Sequence, residues 1–164
     1  MTQISINKVL QDAVVALLIE QDEYVRPDER TVSVTGDIPM AAFSQKSMPK
    51  ISVMRPETLT RVALTTDSVR IEYEINILLI DSQGGTFDAS LENRERLDLL
   101  AHNVCVVLDQ ALSLSLQCQP ISILPNSMEY EFQADPEGLG HNLTALLLTV
   151  RIPAVVPVNL QITV

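Results

Sequence analysis

The sequence has no tryptophan, only three phenylalanines and three tyrosines, and two cysteines in 164 residues. With so few rings, any core must be aliphatic. Cys105 and Cys118 are too few for a disulfide framework and lack metal-motif spacing, so both are expected to be reduced thiols in a cytosolic product. Long apolar runs are also missing. The segment with fewest charges, near the C-terminus, is interrupted by Arg151, Pro153 and Pro157 and is rich in β-branched residues, which excludes a membrane span. The N-terminal MTQISINKVLQD has neither a basic n-region nor a small-residue cleavage site, so no secretion signal is expected. Basic residues are scarce. Eleven Lys and Arg stand against twenty-one Asp and Glu, for a net charge of −10 and a pI near 4.5. No two basic residues are neighbours, which argues against gripping nucleic acid, since phosphate binding needs clustered cations.

What is present fits one globular domain over residues 1–164, of 46% apolar composition and long enough for a real core. Residues 4–21 have helical periodicity, with Ile6, Val9, Leu10, Ala13 and Leu17 on one face and a thinner apolar line of Ile4, Val15 and Ile19 opposite. Pro27 ends this helix, because it disfavours helical backbone at Arg26. TVSVT (31–35) and KISVM (50–54) read as short strands, and 59–66 as a further one. Between the first two, GDIPMAAFSQKSMP (36–49) lacks periodicity and is expected to be a long loop. Its Met40, Phe43 and Met48 suggest a partner-contact surface.

RIEYEINILLID (70–81) is a strand that changes character along its length. Ile71, Tyr73, Ile75, Ile77 and Leu79 alternate onto one face. The other face starts with Glu72 and Glu74 and turns apolar at Leu78 and Ile80. A glycine turn, DSQGGTFD, leads to a second helix at about 89–113, where Asp88 or Ser90 can cap. Its core stripe is Leu97, Leu100, Ala101, Val104, Leu108 and Ala111, and Leu99 and Val106 form a separate line among polar neighbours. SMEYEFQA and LTALLLTVRI are late strands, and residues 153–164 a proline-punctuated C-terminal extension. The order of elements predicts an α+β fold, a largely antiparallel twisted sheet with two main helices packed on one face.

Motifs for chemistry are absent. His102 and Cys105, three apart on a helix, fit a surface histidine beside a packed thiol, since two lone residues make no ligand set. His141 sits in a turn. GLG at 138–140 and Gly84-Gly85 are followed by no phosphate-loop pattern. Glu72 with Glu74, and Glu129 with Glu131, pair carboxylates on strand faces. A glycosidase acid–base pair would take this form, but the chain has few rings for a sugar platform, so an acidic surface is the expectation. No catalytic, cofactor-binding or metal-ligating residue is assigned.

The spare apolar lines on both helices, Val15 and Ile19 on one and Leu99 and Val106 on the other, suggest burial against further copies. In layout the chain resembles the tail terminator (tail completion, head–tail joining) proteins of long-tailed bacteriophages. The helix SINKVLQDAVVALL precedes early strands. The strand VRIEYEINILLID leads through a glycine turn into LENRERLDLLAHNVCVVLDQAL, and SMEYEFQA and NLTALLLTVRI finish the sheet. The resemblance covers most of residues 1–152. It implies a structural virion protein without enzymatic activity or cofactor, assembled in the host cytoplasm and located at the neck end of the tail. Its homo-oligomeric ring, commonly hexameric, would cap the tail tube protein and meet the head-side connector or neck protein, with a sheath as a further candidate partner. DNA would pass through without specific binding, past Glu72, Glu74, Glu129 and Glu131. A small cytosolic oligomeric enzyme and a non-viral assembly or adaptor module are the alternatives.

Overall fold

The computed structural model describes residues 3–37, 49–82, 87–110, 122–123, 129–134, 143–158 and 162–163. Its centre is one pair of strands, β5 (Ser68–Ser82) and β8 (Leu143–Pro157), which run antiparallel in unbroken register from Ser68↔Pro157 to Ser82↔Leu143. Each is flanked by a strand in two pieces. Along β5 lie β3 (Lys50–Val53), opposite Ile77 to Ile80, and β4 (Glu57–Ala63), opposite Val69 to Glu74. Pro56 falls between the pieces, where it has no N–H to give to a ladder. Along β8 lie β7 (Glu129–Ala134) and the short β6 (Ser122–Ile123). β2 (Ser33–Thr35) adds to β3 in parallel, the one parallel pairing described. A separate ribbon joins β1 (Gln3–Ile4) to β9 (Ile162–Thr163).

Three helices complete an α+β fold: α1 (Ile6–Glu20), the single turn α2 (Asp22–Val25) and α3 (Phe87–Gln110). Ser5 caps α1, its hydroxyl accepting from the Lys8 N–H. Arg26 takes extended backbone before Pro27 and ends α2. Odd positions of β5 from Val69 to Leu79 and even positions of β8 from Leu146 to Val156 share one face. With Leu10, Val14 and Leu18 of α1 and Leu97, Leu100, Val104 and Leu108 of α3 they form one aliphatic core. Both main helices therefore lie on the same face. On the opposite face Leu78, Ile80 and Ala145 make a smaller cluster, with Met54 and Leu147 packed against it. The whole Ile77–Ile80 run is buried, as its two-sided apolar pattern requires. Each such side chain contributes about 2 kcal/mol.

Several sequence expectations shift. Ile4 belongs to β1 rather than to the first helix. The buried stripe of α1 is Leu10, Gln11, Val14 and Leu18, rotated by about a quarter turn from the expected one. Gln11 explains the rotation. It is fully buried, and its Nε2 donates to the Val53 carbonyl at 2.8 Å, so a polar side chain sits on the core face. Val15 is half-buried and packs partly against the main core. The third helix starts two residues early, which places Asp88 within it. The expected extension from 153 is in its first part strand, because β8 continues through Pro153 to Pro157. Pro153 falls between the β7 and β6 pairings, where neither strand needs its missing N–H. Ala111, Met40, Phe43 and Met48 lie outside the described residues.

An ion cluster around one buried carboxylate ties these layers together. Asp81, 1% exposed at the end of β5, accepts two hydrogen bonds from the Arg30 guanidinium at 3.1 and 2.9 Å, and Arg96 of α3 approaches it to 3.8 Å. Asp28 holds Arg30 from the other side at 3.0 Å. Burial raises the Asp28 carboxyl, but hydrogen bonds from the Arg30 backbone and side chain, with the charges of Arg30 and Arg96, outweigh it and hold its pKa below the ordinary 3.8. A depressed carboxylate contributes stability that is complete above the unfolded pKa and lost as pH falls through the folded one. Chemical denaturation is therefore expected to show Asp28→Asn losing part of the wild-type stability decline below about pH 4. Asp81→Asn is expected to cost about 2 kcal/mol at neutral pH, the range for hydrogen bonds to charged groups.

Among the described residues Tyr73 is the largest fully buried side chain, and its hydroxyl finds no partner there. Removing an unsatisfied polar atom relieves its desolvation. Tyr73→Phe is expected to leave the urea midpoint unchanged or to raise it. A loss above about 1 kcal/mol would show that the hydroxyl is bonded.

Candidate functional site

Even positions of β5 point away from the helices, which puts Glu72 and Glu74 on the helix-free face, where both are half-buried. The register runs Glu57↔Glu74↔Arg151↔Glu129 across four strands, so an arginine stands between two of the predicted carboxylate positions. Arg151 Nε lies 3.5 Å from Glu74 Oε2. One step along, Asn76, Thr149 and Glu131 share the next row, where the Thr149 hydroxyl donates to Asn76 Oδ1 at 2.8 Å and Glu131 is exposed. Glu72 stands opposite Pro153 and Thr60. The topology thus gathers Glu72, Glu74, Glu129 and Glu131 onto one face, on β5 and β7, the strands that flank β8. Glu57 joins them unforeseen, because the sequence pattern starts its strand at residue 59 instead of 57. Strands sit about 4.8 Å apart, so Glu74 and Glu129 are two strand spacings from each other with a cation between. Among the described residues the row from Glu74 to Glu129 alternates carboxylate and cation positions, with Arg151 next to Glu74.

The helix layer carries the second set of predicted residues. Ile19 is 55% exposed, Leu99 46% and Val106 36%. Tyr24 on α2, not anticipated from the sequence, is 72% exposed. Asn103, four residues after Leu99 and three before Val106, donates to the Val25 carbonyl at 3.1 Å, which brings the end of α2 to that stripe of α3. Beside Val106 runs a groove of about 410 Å³ with an apolar floor of Ala101, Cys105 and Leu146 and carboxylates Asp98 and Asp109 on its rim. His102 lines the same groove and is exposed, while Cys105 is half-buried. Burial, then the Asp109 charge, pushes the Cys105 thiol up to about 11, which works against a thiolate nucleophile. His141 and Cys118 lie outside the described residues. No group of three or more His, Cys, Asp or Glu able to hold a metal occurs among the described residues, and no described helix is long and apolar enough to cross a membrane.

A third surface was not legible in advance. Every residue of β4 is exposed, and its outer edge pairs with no described strand. Leu59, Val62 and Leu64 stand out from this hairpin, with Val158 at its tip, where the Val158 N–H donates to the Asp67 carbonyl at 3.0 Å.

No protein-family model matches the sequence, and no curated protein does. Among solved structures, the chain shares its fold with a chain of the virion of a native gene transfer agent particle, at 14% identity and a TM-score of 0.56, over 90% of this chain and 95% of that one. A second solved chain, 11% identical over 88% of this chain and 94% of its own length, has a TM-score of 0.45 and carries no argument.

The cross-strand row makes a separable test. Replacing Arg151 by Gln removes the cation between Glu74 and Glu129, and the sheet is expected to lose about 1 kcal/mol at low salt. Urea denaturation of the Glu74→Gln, Arg151→Gln double variant is expected to recover part of that loss. Purely additive costs would show that charge does not set this row.

Proposed function

We propose that this chain is a structural virion protein, a tail terminator that closes into a ring at the neck end of a phage-like tail. The observation that carries the reading is the end-to-end likeness of fold to a chain of a virion particle. It is joined by exposed apolar side chains on the helix layer, Ile19, Leu99 and Val106, which a ring contact would cover. In this reading the ring, commonly hexameric in the family the chain resembles, caps the tail tube protein, meets the head-side connector and does no catalysis.

The helix-free face would line the channel. There Glu72, Glu74, Glu129 and Glu131 would repel phosphates and keep passing DNA from adhering. The Debye length is about 8 Å at physiological salt, so only carboxylates near the DNA path would act. Arg151 beside Glu74, and exposed Arg70 two positions before Glu72 on the same face, would temper that field.

Negative-stain microscopy of the purified protein is expected to show rings with a central hole, and light scattering a mass of several chains. A monomer at every concentration would sink the ring. Rings with Glu72 and Glu74 on the outer rim would remove the channel role alone.

A further inference from the structure

A ring of heterologous contacts needs two different patches on each subunit, and the structure presents two apolar surfaces of opposite electrostatic character. One is the β4 hairpin arm. Residues 55–70 hold three arginines against one Glu and one Asp, a net positive stretch in a chain of net charge −10. Arg55, Arg61 and Arg70 are all exposed, as are Leu59, Val62 and Leu64. The other is the helix layer. There α1 and α2 hold one Lys against four carboxylates, and α3 two Arg against five. Of its exposed apolar residues, Val106 lines a groove with an apolar floor and an acidic rim, and Leu99 stands about two turns before it on α3.

We infer that the arm of one copy, carrying Leu59, Val62 and Arg61, docks on the acid-rimmed apolar layer of the next, at Leu99, Val106 and the groove beside Asp98. This rests on the ring reading and goes beyond it by naming which surface meets which. Burial of aliphatic side chains supplies the affinity, and the arginines against carboxylates set orientation. A β4 edge facing a neighbour is also removed from solvent, where an unpaired strand edge invites non-specific pairing. The pairing is directional: each copy gives an arm to one neighbour and a helix layer to the other.

The direction makes it testable by complementation. One variant disables the arm, Leu59→Glu with Val62→Glu. Another disables the helix layer, Leu99→Glu with Val106→Glu. All four positions are exposed, so circular dichroism is expected to match wild type in both. By light scattering each variant alone is expected to be monomeric, and an equimolar mixture to form a two-chain species through the one junction left intact. A mixture that stays monomeric while wild type assembles overturns the inference and leaves the ring reading standing, as does a single variant that keeps the wild-type mass. Wild type that never assembles overturns both. Arg61→Glu changes only an exposed charge and guards against misfolding of the double variants. At low salt it is expected to weaken assembly about tenfold, and unaltered assembly would overturn the charge pairing.

Discussion

The antiparallel ladder between β5 and β8 is the constraint on which the rest of the molecule depends. Fifteen consecutive residues of each strand stay in register. A slip by one would send every core side chain to the wrong face. That register puts Ile71, Tyr73, Ile75, Ile77 and Leu79 level with Ala154, Ile152, Val150, Leu148 and Leu146, a continuous apolar strip to which both long helices dock. The same register assigns Glu72 and Glu74 to the opposite face and brings Arg151 beside Glu74. One pairing therefore settles both where the core lies and where the charge goes.

The ladder alone does not fix the helices. α1 is anchored by Gln11 on the Val53 carbonyl and by Asn7, whose Nδ2 donates to the Pro56 carbonyl at 3.0 Å. α3 is anchored through Asp81, where Arg30 and Arg96 converge on a carboxylate that is 1% exposed. A buried charge is costly without partners and tolerable with two cations. The cluster consequently joins the segment after α2, the end of β5 and the first half of α3 at one point, and gives the helix layer a defined place over the sheet.

The sequence made the fold class and most of the sheet legible for a simple reason. Strand alternation in β5 and the stripe of α3 are carried by apolar residues whose burial dominates the energetics, so period and position agree. α1 was misjudged where a polar residue broke the rule: Gln11 on the core face is stabilised by a tertiary hydrogen bond that no local pattern reveals. Pro153 misled similarly, because a proline in a strand is harmless where the neighbouring ladders happen to pause. The carboxylates of the helix-free face were found by alternation. Which arginine stands beside them needed the register, since Arg151 lies 77 residues from Glu74. Arg30 and Asp81, 51 residues apart, left no local signal. β4 was placed, but its complete exposure was not visible, since Leu59, Val62 and Leu64 look in sequence like any half-buried strand.

Single exposed aliphatic side chains are common on soluble proteins and need no explanation. Their distribution here is what carries weight. They gather on two separate surfaces, one edged by arginines and one by carboxylates, in a chain whose overall charge opposes self-association. At physiological salt that overall repulsion is screened beyond about 8 Å, while groups brought into contact still feel one another. In the ring proposed above, the basic arm and the acidic layer would be the surfaces whose contact gains from that short range. The electrostatics that would orient that contact would also hold the like-charged faces of neighbouring copies apart.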